Sequence, residues 1–215
     1  MNIKLFFKKT ARGALHLKYL LIPVLLLTGI IFGWLFYQSS INMKWEKATD
    51  YYRRADYDAA ANELKGLPIP SKDVDRLAIY SQTMLATRQL DNARDGYKQL
   101  YELKKDPFTK VVLGNIYNEQ KRYDEATKIY KEVTVANPNY AQAYVNLATL
   151  HKLQGDNTKA VQVASDAVKN NPNNTVLLEL LVSLTMTDKE SPVFQEAVAK
   201  LKKVNPNDPL LELIE

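Results

Sequence analysis

The sequence predicts an all-α chain, a solenoid of about five helical hairpins preceded by one helix able to cross a bilayer. Three observations carry this. Asn-Pro-Asn occurs three times, starting at Asn137, Asn171 and Asn205, with the same interval both times. An alanine recurs at Ala60, Ala93, Ala126 and Ala160, at intervals of 33, 33 and 34. From Tyr19 to Met43 no side chain is charged.

The apolar run comes first in the chain. A helix needs roughly 20 apolar residues to cross a hydrocarbon layer of about 30 Å, and residues 19–38 supply them. Tyr19 stands at one end and Trp34, Phe36 and Tyr37 at the other, the aromatic placement of an interface-to-interface helix. A cleaved signal peptide is the competing reading. Its apolar region would be about 7–15 residues long and would end in a small-residue cleavage site, whereas this run continues into "QSSINMKW". An uncleaved signal anchor is therefore expected. Lys4, Lys8, Lys9, Arg12 and Lys18 precede it, with no acid among residues 1–40. By the positive-inside rule, residues 1–18 form a basic cytoplasmic arm and the body is extracytoplasmic, as in a bacterial plasma membrane. An organelle outer membrane would leave the body facing the cytosol. Leu5, Phe6 and Phe7 of the arm are placed to lie on an anionic leaflet, although a topology signal alone accounts for the charges. Gly29 and Gly33, at i and i+4, mark a face on which a second membrane helix can approach closely, in a homodimer or a membrane complex.

Those five cations account for the whole formal charge of +5, and the rest of the chain carries 24 basic and 24 acidic groups. A body without net charge lacks the basic face that nucleic-acid binding needs. With no cysteine, disulfides, thiolate nucleophiles and Cys-held zinc are excluded.

The repeat explains most of the rest. Proline has no N–H and disfavours helix in the residue before it, so Pro138, Pro172 and Pro206 each end a helix. Two residues before each recurrent alanine stand Asp58, Asp91, Asp124 and Thr158, side chains suited to cap a second helix. Leu64, Tyr97, Tyr130 and Ala164 follow four residues after the alanines and extend the stripe. First helices show a small residue three before a ring: Ala48 and Tyr51, Gly114 and Tyr117, Ala148 and His151. Near the C-terminus Ser191 and Pro192 read as a helix start, as do Asp208 and Pro209. Leu210, Leu211, Leu213 and Ile214 are then expected to dock as a capping segment, residues 209–215.

This pattern resembles the tetratricopeptide repeat, whose signature over about 34 residues is an aromatic, Leu-Gly, Tyr, a turn, Tyr, Ala, an aromatic, Ala and Pro. Residues 107–140 match best, at Leu113, Gly114, Tyr117, Tyr123, Ala126, Tyr130 and Pro138. Residues 141–174 match at Tyr144, Leu147, Ala148, Ala160, Ala167 and Pro172. Residues 41–73 and 74–106 match mainly in their second helices. Residues 175–208 are degenerate, with Phe194 where Ala is expected. The resemblance implies stacked hairpins over residues 41–208, sharing one core in a right-handed superhelix with a concave groove.

No catalytic constellation is legible. His16 lies in the basic arm, and His151 stands where the repeat places a packing ring. Asp188 and Glu190 read as solvated turn charges, and no phosphate-cradling loop or zinc helix occurs. No enzyme activity, cofactor or metal is expected. The resemblance implies that first helices line the groove. By register its candidates are Gln82, Leu85, Val111, Asn115, Asn118, Gln142, Val145, Asn146, Thr149 and Lys152. Asn115 and Asn146, one repeat apart, could each bond an N–H and a C=O of an extended peptide. Members that clamp a carboxylate terminus use cations where this chain has Val111, Val176 and Leu180, so that mode is not expected. The function implied is a membrane-anchored scaffold or adaptor for a polypeptide, in export or envelope assembly. A cytosol-facing organelle import receptor and a self-assembling structural oligomer stay open.

Overall fold

The computed structural model describes residues 3–214, with side chains from Ile22 onward. The expectations for the basic arm (Lys4 to Lys18, with Leu5, Phe6, Phe7 and His16) and for the Tyr19 ring therefore lie outside the described side chains. Among the described residues there are eleven helices and no strand. The chain divides into two compact units, residues 1–67 and 68–215.

The first unit holds α1 (Ile3–Arg53) and α2 (Tyr57–Leu64). α1 is unbroken for 51 residues. No loop separates its apolar stretch from its packed end, where Trp45 and Ala48 are buried. Between Ile22 and Tyr37 its large apolar side chains are exposed, and a Cβ on Gly29 or Gly33 would meet nothing within 4 Å. α2 folds back against α1, with the rings of Tyr52 and Tyr57 edge-to-face across the turn, centroids 5.8 Å apart.

The second unit is four hairpins and a cap: α3 (Val74–Ala86) with α4 (Leu90–Lys104), α5 (Pro107–Glu119) with α6 (Tyr123–Ala136), α7 (Ala141–Leu153) with α8 (Asn157–Asn170), α9 (Thr175–Thr185) with α10 (Pro192–Val204), then α11 (Pro209–Glu212). Each hairpin packs on the next through its second helix, and the first helices α5, α7 and α9 also touch side by side.

Two kinds of turn generate the stack. Inside hairpins, Ala55, Arg88, Lys121 and Gly155 adopt left-handed backbone (φ 59°, 57°, 59° and 80°). The N–H of each following residue then reaches back over the helix end: Asp56 to Tyr51 O, Gln89 to Met84 O, Arg122 to Tyr117 O and Asp156 to His151 O, at 2.8–3.0 Å. Between hairpins the Asn-Pro-Asn turns repeat atom for atom. The N–H groups of Asn137, Asn171 and Asn205 close on Val133 O, Ala167 O and Leu201 O, and three residues later Tyr140, Asn174 and Asp208 donate back to those asparagines. Asn171 Nδ2 also donates to Pro138 O at 2.8 Å, tying one such turn to the previous one.

The left-handed turn corrects the capping residues. The residue after it is already the cap, so the caps are Asp56, Gln89, Arg122 and Asp156 rather than Asp58, Asp91, Asp124 and Thr158. The last four sit inside the first turn, where the carboxylates of Asp58, Asp91 and Asp124 complement the helix dipole. Ser191 and Asp208 do cap α10 and α11, accepting from Phe194 N and Leu210 N. Of the tail, Leu211 is buried, Leu210 and Ile214 are half-buried against the last hairpin, and Leu213 is 76% exposed.

Candidate groove on the first helices

Positions i, i+3 and i+7 share one face of a helix, so the expected groove residues of α5 and α7 form two stripes on adjacent helices. Their centre is a hydrogen-bonded ladder. Asn146 Nδ2 donates to Asn115 Oδ1 at 2.7 Å. The Tyr130 hydroxyl, rising from α6 behind, donates to the same oxygen at 2.7 Å. Gln142 Nε2 donates to Asn146 Oδ1, also at 2.7 Å. Tyr130 is 1% exposed, and burial pushes its phenol up to about 12, against a smaller opposing pull from Asn146. The phenol therefore stays a donor at any physiological pH. With Asn115 Oδ1 occupied twice, the Asn115 amide nitrogen makes no hydrogen bond among the described residues. One helical turn on, the buried Asn118 Oδ1 has no hydrogen-bond partner among the described residues.

The other expected residues divide. Gln82 on α3 is exposed and Leu85 half-buried; Val145 is half-buried, Thr149 and Lys152 exposed. Val111 is only 3% exposed and belongs to the core rather than to the groove surface. Two residues on the same stripes escaped the register reading: Phe108, 61% exposed, and Leu153, 64% exposed. A signal for the first existed, since Phe108, Gln142 and Val176 recur at equal intervals, one per repeat. On α5 and α7 the stripes are neutral apart from Lys152 and Glu119, and Glu119 is engaged by Arg88 at 3.3 Å.

His151 is buried where Tyr117 stands one repeat earlier. Its imidazole is held below its ordinary value by burial first and by Lys131 next. Among the described residues no three of His, Asp and Glu gather in a way that could hold a metal.

The family model described as "Tetratricopeptide repeat" matches residues 117–184, the stretch from the end of α5 through α9. Residues 117–184 are tetratricopeptide repeats. Solved repeat structures agree on the fold at low identity. MamA 41-end from Desulfovibrio magneticus RS-1 is 16% identical, covering 79% of this chain and 97% of its own, with TM-score 0.57. A second MamA crystal structure is 17% identical over 79% of this chain and 96% of its own, TM-score 0.57. The structure from the functional characterization of Pseudomonas aeruginosa pilF is 16% identical, covering 82% of each chain, TM-score 0.54. No curated protein matches this chain. In the repeat framework the ladder joins the first helices of the two repeats that match the signature best.

Proposed function

We propose that this chain is a membrane-anchored adaptor that holds an extended polypeptide against α5 and α7, with its body on the extracytoplasmic side. The observation that carries the proposal is the Tyr130–Asn115–Asn146–Gln142 ladder. It fixes the amides by bonds within the protein and leaves the Asn115 amide nitrogen as an unused donor on the stripe. A side-chain amide donor complements a C=O of a peptide main chain without reading its side chains. The flanking Phe108, Val145 and Leu153 add apolar contact, and few charges stand nearby to demand a charged partner. Anchoring is supported by the apolar stretch of α1, exposed from Ile22 to Tyr37, and the orientation by the five preceding cations.

Photo-crosslinking side chains at Phe108 and Thr149, outside the ladder, test this in the full-length protein. Intact cells with the outer barrier opened are exposed to protease in parallel. A digested body, with export or envelope proteins crosslinked at both positions and lost in Asn115→Leu, is the expected result. A protected body crosslinked to cytosolic proteins would instead make the chain a cytosol-facing receptor. Crosslinks only to other copies of the chain would make it a self-assembling scaffold.

A further inference from the structure

The unbroken α1 sets a distance, and the return of α2 turns that distance into a contact. If the apolar run through Gln38 crosses the bilayer, the helix leaves the hydrocarbon near Gln38. It reaches the buried Trp45 seven residues later, about 10 Å on at 1.5 Å per residue. The headgroup layer on one side is itself about 5–8 Å thick. α1 then climbs to Arg53, reverses through Arg54–Asp56, and α2 descends over the eight residues Tyr57–Leu64. That descent, about 12 Å, equals the climb from Trp45 to Arg53. Leu64 therefore comes back level with Trp45, and the residues beyond it, Lys65, Gly66 and Leu67, come back level with the Met43–Lys44 stretch of α1.

The chemistry at the two ends of this hairpin differs. At the far turn Arg54 is paired with Asp50 at 2.6 Å. At the near end Lys44 and Lys65 are exposed and have no carboxylate partner among the described residues. The chain at Lys65–Leu67 is held in a fixed turn, with Gly66 at φ 76° and Leu67 N–H donating to Leu64 O at 3.0 Å. Leu67 is half-buried at the end of that turn.

We infer that the open end of the first hairpin, Lys65–Leu67 together with Lys44, is a foot that rests in the headgroup layer of the bilayer. This rests on the anchor reading of α1. Its partner is a lipid surface, with phosphate groups meeting the two exposed lysines. The consequence is that the first repeat does not swing on a tether but stands at a set height over the membrane.

The chain has no cysteine, so single-cysteine variants take one label each. The full-length protein would be labelled at Phe36→Cys, Lys65→Cys, Asn62→Cys and Arg54→Cys with an environment-sensitive fluorophore. It would then be placed in vesicles of phosphatidylcholine and phosphatidylglycerol carrying a headgroup spin label or a chain-borne one. The expected result is quenching at 36 by the chain-borne label. The headgroup label should quench position 65 several-fold more than position 54, with 62 between them. Quenching at 36 with position 65 no more accessible than 54 overturns the foot and leaves the anchor standing. Absence of quenching at 36 overturns the anchor and the foot together. Positions 62, 65 and 54 are exposed in the fold, so helix content by circular dichroism should match the unlabelled protein.

Discussion

Two neighbouring hairpins bring their helices together by opposite choices. In α5/α6 the small residue lies on the first helix. A Cβ on Gly114 would stand 2.5 Å from Tyr130 Cε1 and 3.2 Å from Ile129 Cγ2. In α3/α4 the residue one repeat before Gly114 is Ser81, and the glycine has moved to the second helix. It is Gly96, one repeat before Ile129, where a Cβ would collide with Ser81 Oγ. The facing pairs, Ser81 with Gly96 and Gly114 with Ile129, have the same separation along the chain. The same pairing recurs as Ala148 with Val163 and, reversed again, as Val182 with Ala197. What is kept is a small residue on at least one side of the interface, as close packing requires, and not the residue at either position.

The comparison is most severely tested at Gly114. Gly114→Val drives two methyls into the Tyr130 ring, which is fully buried and hydrogen-bonded to Asn115 and has no room to withdraw. A loss of about 3 kcal/mol is expected, the upper end of ordinary overpacking. Thermal unfolding in detergent should show the midpoint falling by about 6–12 °C. A drop near zero would mean that the ring moves freely and that the ladder is not fixed.

The second test exchanges the two solutions. Gly96→Ala alone should cost about 1–2 kcal/mol through its collision with Ser81. Ser81→Gly alone should cost about 1 kcal/mol, from helix propensity and lost packing. Together they recreate the arrangement of α5/α6, a glycine on the first helix and a larger residue on the second. The double variant should be more stable than the sum of the singles by about 1 kcal/mol or more. Strict additivity in denaturant titrations would remove the compensation argument.

This compensation shows what the sequence could and could not disclose. The hairpins and their order were legible because turns are local: Pro138, Pro172 and Pro206 act on their own neighbours, and a constant period needs no knowledge of contacts. Hairpin α3/α4 matched the signature mainly in its second helix, and α9/α10 looked degenerate, when each position was judged alone. The signature assigned no role to Gly96 or Val182. Each is half of a pair whose other half stands on the facing helix. The caps were displaced by two positions because the turn depends on left-handed backbone at Ala55, Arg88 and Lys121, where no glycine announces it. The groove was legible as a face, since helical periodicity assigns faces. Its ladder was not, because the bond from Tyr130 to Asn115 crosses between two helices and depends on side-chain direction.

Hairpin α7/α8 differs from its neighbours by titrating in its core. His151 takes the place of Tyr117, and its pKa is lowered by burial and by Lys131. The unfolded chain then binds a proton more readily than the native one. This contribution is present above the ordinary imidazole value of 6.5 and is lost as pH falls through the lowered native value. Unfolding measured from pH 7 to pH 5 should show the wild type losing stability, and His151→Tyr should flatten that slope. An unchanged slope would place the acid sensitivity elsewhere.

The last hairpin should respond with the opposite sign. Glu179 on α9 is the counterpart of Val145 on α7, one repeat on. Burial, and then the nearby Asp208 that caps α11, raise its pKa above 4.5. Here the native chain holds the proton more tightly than the unfolded one. The contribution is therefore full below the unfolded value and declines as pH rises through the native one. At neutral pH the ionised Glu179 faces another acid and works against the docking of the tail. Glu179→Gln keeps the shape and removes the charge. It should raise stability slightly at pH 7 and change nothing at pH 4, where the wild-type carboxyl is already protonated. Because Asp208 both caps α11 and faces Glu179, the gain should vanish in the background of Asp208→Asn, which keeps a capping side chain without the charge. A gain that persists there would mean that Glu179 is destabilised by desolvation alone. The tail would then be held by Leu211 and by Lys189 on the Ile214 carbonyl, with no electrostatic strain at its cap.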